Sequence, residues 1–155
     1  MSITTPLRPL RRFALPLLAA AIAFGIAACE NPVQDDGDAH AVGVAVFSGS
    51  TKVAEYHEAT RTASGEITVA KGETRTFRVR VVTASGGYRD IDGAEFSVRN
   101  PDFIVPNVAN VELLGPDQLR ITGQVVTPQQ TTLILELRHG NHPEFTAELR
   151  ARVAQ

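Results

Sequence analysis

The residues of this chain best suited to chemistry are its four histidines, His40, His57, His139 and His142. Imidazole nitrogen suits zinc and copper, and zinc takes such ligands at about 2.0–2.1 Å. His139 and His142 bracket Gly140-Asn141, and a two-residue turn there would set both rings opposite each other on one face. That register would also pair Leu137 with Glu144 and Leu135 with Thr146, mixing an inner face with an outer one. The apolar pattern favours a three-residue loop, His139-Gly140-Asn141, with Asn141 in the left-handed region and His142 beside Arg138 on the outer face. Upstream, the runs 42–47 and 51–56 read as a hairpin about Gly49. If Phe47 pairs with Ser50, position 40 falls opposite position 57. Cross-strand partners have Cβ atoms about 4.5–5.5 Å apart, so His40 and His57 would meet at the hairpin's open end. Glu144, beside the last turn, is a further candidate ligand.

Other chemistry is sparse. The chain has no Gly-x-Ser-x-Gly, His-Glu-x-x-His, phosphate-binding loop or Gly-x-Gly-x-x-Gly pattern. Its serines sit in turn-rich company, and its carboxylates are scattered along alternating runs with no pair to share a proton. The chain therefore reads as a non-enzyme. Asp35-Asp36-Gly37-Asp38 lacks the spaced oxygen ligands that calcium needs and reads as a solvated spacer. Tyr56, Tyr88 and Phe103 are candidates for a ligand face or for core packing.

The elements that must position these side chains are strands. Val42, Val44 and Val46 alternate with small residues, and Phe77, Val79 and Val81 alternate with Arg78 and Arg80. Ile67 with Val69, Phe96 with Val98, Val111 with Leu113, and Leu119 with Ile121 repeat the pattern. Leu133, Leu135 and Leu137 share a face. The longest case is Phe145, Ala147, Leu149, Ala151 and Val153, set against Thr146, Glu148, Arg150 and Arg152. Period two with one apolar face is a half-buried strand. Turn residues separate the runs at Ser48-Gly49-Ser50, Lys71-Gly72, Ser85-Gly86-Gly87, Asp92-Gly93, Gly115-Pro116-Asp117 and Gly140-Asn141. Pro101-Asp102 and Val105-Pro106-Asn107 mark an irregular connection, and the prolines demote any strand there to a short or edge one. About seven to nine short strands predict an all-β, antiparallel sandwich over residues 40–155.

The stretch Gly65-Glu66-Ile67-Thr68-Val69-Ala70-Lys71-Gly72-Glu73-Thr74, followed by alternating 77–81, resembles the opening of a bacterial immunoglobulin-like (Ig-like) domain. The pair of runs 131–137 and 145–153 resembles its close. The chain departs from antibody-type domains in having no cysteine pair and no tryptophan. The resemblance implies binding, spacing or adhesion and no reaction. It also implies that the N-terminus and the last hairpin lie at one end of the sandwich, which would bring His40 towards His139 and His142.

The N-terminus carries a second resemblance. Arg8, Arg11 and Arg12 precede an uncharged run over 13–28, which ends in Ile26-Ala27-Ala28-Cys29. A basic start, a short apolar core and small residues at a cleavage point make a signal-peptide plan. The run is 16 residues long and broken by Pro16 and Gly25, short of the roughly 20 a spanning helix needs. Ile26-Ala27-Ala28-Cys29 resembles the lipobox of bacterial lipoproteins, in which the cysteine is lipidated and becomes the first mature residue. The resemblance implies a leader over 1–28, a lipidated tether over 29–39 and a membrane partner through Cys29. Glu30, in place of the aspartate linked to inner-membrane retention, implies the outer membrane of a cell that has one. Cys29 is the only cysteine, so no disulfide staples the domain and its stability must come from the core.

Composition excludes one class of partner. The leader holds three of the 15 Lys and Arg and none of the 17 Asp and Glu. Residues 29–155 thus set 12 basic side chains against 17 acidic ones, a net charge of −5, which argues against nucleic acid. An envelope protein or ligand remains as the expected partner, with zinc or copper as the alternative.

Overall fold

A computed structural model describes residues 40–155, and the leader, Cys29 and the rest of the tether lie outside the described residues. The alternating runs become eleven strands: β1 (Ala41–Ser48), β2 (Thr51–His57), β3 (Thr62–Gly65), β4 (Ile67–Ala70), β5 (Thr74–Thr83), β6 (Tyr88–Asp90), β7 (Phe96–Phe103), β8 (Ala109–Leu113), β9 (Gln118–Gly123), β10 (Thr131–His139) and β11 (His142–Ala154). The described residues contain no helix. The count exceeds the expected seven to nine because β3, β4 and β6 are pieces of only three or four residues.

Two sheets form the sandwich. One runs β3-β2-β1-β5-β9-β8, with β6 also paired to β5; the other runs β4-β11-β10-β7. The groups β5-β9-β8 and β11-β10-β7 carry most of the two facing layers of the sandwich. The hairpin β1–β2 and the short β3 extend the first sheet outward from β5. Pairing is antiparallel except between β4 and β11, which run parallel.

The core follows the alternation. Phe77, Val79, Val81, Leu133, Leu135, Leu137, Phe145 and Leu149 are all buried between the sheets, with Val44, Val46, Leu119, Ile121 and Val98. Burying each Leu or Phe contributes about 1.5–3 kcal/mol. Tyr56 and Phe103 also belong to this core. Strand β1 is buried on both faces, because Ala45 and Phe47 pack outward against Val82 in a second, smaller cluster. Val42 departs from its expected partnership with Val44 and Val46. The register of β1 against β5 shifts between Ala41 and Gly43, so Val42 is an extra residue and packs on the outer cluster.

Both histidine hairpins differ from the expected registers. In the first, Ser48 pairs with Thr51 and a bulge follows between Val46 and Phe47, so His57 faces Gly43 and not position 40. In the second, Gly140-Asn141 is a two-residue turn and His139 pairs with His142. Gly140, not Asn141, takes the positive φ (54°), as a primed turn with glycine first requires. A bulge on β11 at Glu144 then restores Leu137 opposite Phe145. One extra residue thus satisfies both the tight turn and the apolar face.

Strand β7 is an edge, as its proline demands, and Asn100 beside Pro101 has φ 48° where the pairing with β10 shifts. Its free side is capped: Val98 N donates to Pro116 O at 2.9 Å and Gly93 N donates to Phe96 O at 3.0 Å. Such caps block the edge against pairing with another chain.

Candidate functional site

The densest polar cluster lies on the outer face of the first sheet. Register places Lys52 and Phe47 in one row, Glu55, Ala45, Arg80 and Asp90 in the next, and His57, Gly43, Val82 and Tyr88 in a third. At the second and third rows β1 offers only Ala45 and Gly43 on this face. That low stretch of β1 leaves room above it, and Tyr88 reaches across β5 and β1 to Glu55.

Glu55 collects three donors. Its Oε2 accepts from Lys52 Nζ at 2.6 Å and from Tyr88 Oη at 2.8 Å, and its Oε1 accepts from His57 Nε2 at 2.6 Å. Lys52 Nζ also donates to Tyr88 Oη at 2.7 Å and lies 5.3 Å from the ring centroid. The Tyr88 ring meets Phe47 edge-on at 5.3 Å, and the Arg80 guanidinium covers Phe47 at 5.2 Å while pairing with Asp90 at 2.6 Å. Burial pushes the Glu55 carboxyl up, but the bonds from Lys52, Tyr88 and His57 outweigh it and hold the group below the usual carboxylate range. The hydrogen bonds to Glu55 and Tyr88 push Lys52 up. The cluster fixes β6 over β1 and β2 and leaves Tyr88 40% exposed. Its carboxylate is saturated with donors, so the arrangement is suited to holding a surface in shape and not to moving a proton.

A second polar feature sits at the end where β2 finishes and β11 starts. There Tyr56 and Phe145 pack with ring centroids 6.0 Å apart. A hollow of about 290 Å³ is lined by Glu58, Glu144 and Glu148 with Arg61. Tyr56 Oη donates to Glu58 at 3.0 Å, and burial, then Glu58, pushes the phenol up.

The expected metal ligands are distributed around this end. His40 is exposed and immediately precedes β1. His57 is held on Glu55. His139 and His142 are directly opposed, and the His139 ring stacks on Phe96 at 4.9 Å. Glu144 is the bulge residue and lines the acidic hollow. The structure brings together His139 with His142, and His57 with Glu55. Among the described residues no three His, Cys, Asp or Glu side chains converge in a way that could hold a metal ion.

The Glu55 cluster escaped the sequence reading. Glu55 and His57, two apart on one strand face, were a usable signal. Lys52 falls on that face only because of the bulge between Val46 and Phe47, where Val53 is the extra residue. Tyr88 arrives from a three-residue strand 33 positions away, which no local pattern announces. No family model matches the chain, and neither a curated protein nor a solved structure matches it.

Proposed function

We propose that this chain is a non-enzymatic, lipid-anchored module of the cell envelope that works by binding at the end of the sandwich far from its anchor. One observation carries the reading. The chain enters the sandwich at Ala41, level with the end of β5, whereas Ile104, Val105 and Val125 stand about half exposed beyond the start of β5. Those levels are roughly 30 Å apart, ten residues of β5 at ~3.3 Å each. The two loops that carry the apolar tip are joined, since Val125 N donates to Val108 O at 3.0 Å. Scattered exposed apolar side chains are ordinary; three gathered on one tip point to a contact surface. A lipid on Cys29 and the tether 29–39, at most ~40 Å long when extended, would hold the opposite end at the membrane. The outer membrane is the favoured location on the strength of Glu30.

Replacing Cys29 with Ser should move the protein from the membrane fraction to the soluble one. Unchanged membrane association would refute the anchor. Val105→Asp combined with Val125→Asp should abolish cross-linking of envelope proteins through this tip without changing the melting midpoint; unaltered cross-linking would refute the tip.

A second reading, a zinc- or copper-binding lipoprotein, is favoured by the directly opposed pair His139 and His142. Two imidazoles are half of a four-coordinate zinc site, so the rest would come from a partner. Calorimetric titration with zinc and with copper tests it: heat that disappears in His142→Ala supports the reading, and no heat ends it.

A further inference from the structure

The crook between β7 and the turn joining β8 to β9 holds an open trough of about 580 Å³. Ligand sites fall at roughly 300–1,000 Å³, and the other hollows described, at about 230–350 Å³, reach the lower end of that range at best. The trough is preformed. The bonds from Val98 N to Pro116 O and from Gly93 N to Phe96 O pin both of its walls to β7. Its floor is Ser97 and Arg99, two residues apart and therefore on one face of the strand. Its apolar wall is Leu113, Leu114 and Pro116, and Leu114 is 39% exposed.

Arg99 is the cation here without a carboxylate. Ten arginines lie in the described residues. Seven of them, Arg75, Arg78, Arg80, Arg89, Arg120, Arg138 and Arg152, hold an Asp or Glu within 4.0 Å. Arg99 pairs with none of the described acids. Glu136, its cross-strand partner, is taken by Arg138 at 3.0 Å. The acid that lines the trough, Asp92, is turned to its own loop, where Oδ1 accepts from Ala94 N and Glu95 N at 2.9 Å each. A guanidinium presents a fork that fits one carboxylate with two parallel bonds. A free fork beside an exposed leucine wall is complementary to a carboxylate that adjoins an apolar group. The trough is open along its length and exceeds what one small acid would fill, which favours the end of an extended chain.

We infer that this trough binds the carboxyl terminus of a polypeptide whose last side chain is apolar, with Arg99 on the terminal carboxylate and Leu113, Leu114 and Pro116 around the side chain. Capture of a chain's terminal carboxylate is an established mode of peptide recognition. The inference stands independently of the anchor and of the apolar tip.

The test is a titration of the full ¹⁵N-labelled chain, followed by amide shifts. The probes are a pentapeptide ending in leucine with a free carboxylate, the same peptide amidated, and N-acetyl-leucine. The free-acid peptide should shift the amides of Ser97, Arg99 and Leu114 in a saturable way, and amidation should weaken it about tenfold or more, the scale of one charge-assisted pair. Arg99→Gln should produce the same loss for the acid and leave the amide's weak binding unchanged. Leu114→Asn should weaken both. Equal binding of acid and amide, or no shift with either, overturns the inference. N-acetyl-leucine binding as tightly as the pentapeptide overturns the chain-end assignment in favour of a small acid. Arg99 and Leu114 are exposed, so neither variant threatens the fold, and an unchanged amide spectrum elsewhere verifies this.

Discussion

Glu55→Gln is the perturbation that best separates a structural from an incidental role for the outer-face cluster. Glutamine keeps the shape and one carbonyl acceptor but loses the charge that three donors share. A hydrogen bond to a charged group contributes about 1.5–3 kcal/mol, which for three bonds would suggest a large loss. The donors decide otherwise. The Lys52 and His57 side chains are 41% and 44% exposed, so water replaces most of what they lose, and exposed pairs contribute only ~0–1 kcal/mol each. A loss of about 1–2 kcal/mol follows, or roughly 4–10 °C in melting midpoint for a domain of this size. The pH dependence has a fixed sign. Glu55 is held below its ordinary value in the fold, so its contribution is present above the unfolded carboxylate pKa and is lost as pH falls through the lower, folded one. Lys52 is pushed up and stays charged throughout this range. Urea melts of both proteins at pH 7 and at about pH 3 should show a clear gap at neutral pH that narrows in acid. A gap of the same size at both values would refute the ionic account and leave only shape.

Gly43→Ala places a Cβ 2.1 Å from the backbone carbonyl oxygen of Tyr56, where carbon contacts need about 3.5 Å. The strands β1 and β2 must part by more than an ångström, so destabilisation of about 3 kcal/mol or more is expected, read as a drop in urea midpoint with unchanged slope. Thr131→Val acts in the opposite direction. Thr131 Oγ1 is buried with no hydrogen-bond partner among the described residues, and an unsatisfied buried hydroxyl costs ~1–3 kcal/mol. The variant should melt several degrees higher, and a lower midpoint would mean the hydroxyl has a partner.

The interior was legible in the sequence because burial in a sandwich obeys one rule, alternation, and the core strands β5, β9, β10 and β11 follow it. Leu133 to Leu137 and Phe145 to Val153 could face inward in only one phase, and they do. Pro101 limits any strand there to a short or edge one for an equally local reason; β7 runs through it to Phe103 and is an edge. What was hidden depends on single-residue offsets. The bulges at Val42, after Val46 and at Glu144 each move a histidine or its neighbour by one position, and alternation carries no signal for where an extra residue will be inserted. His139 and His142 show this: turn chemistry favours a two-residue loop, the apolar pattern favours three, and one bulge removes the conflict. Trough and outer-face cluster were hidden for a different reason. Both join residues distant in sequence, Arg99 with Leu114 and Glu55 with Tyr88, through pairings that no periodicity encodes.

The added strands acquire a mechanical sense on the proposed anchoring. Under that proposal, load from a lipid at Cys29 would reach the domain at Ala41, the first residue of β1. That strand lies between β2 and β5 and is hydrogen-bonded to both over most of its length. It is buried on both faces, inward by Val44 and Val46 and outward by Ala45 and Phe47. The strand enters antiparallel to both neighbours, so a pull along the tether shears all of these bonds together and does not peel them one at a time. An edge strand in the same place would have one ladder and one packed face to resist the same force. The Glu55 cluster adds to this by tying β6 across β1 to β2, clamping the loaded strand from outside through Tyr88 and Lys52. Glu55→Gln should therefore lower the force at which the domain yields when pulled from residue 41 against its C-terminus, beyond its effect at equilibrium. A pulling force identical to wild type, together with the expected loss in urea, would show that the clamp stabilises the sheet without carrying the load.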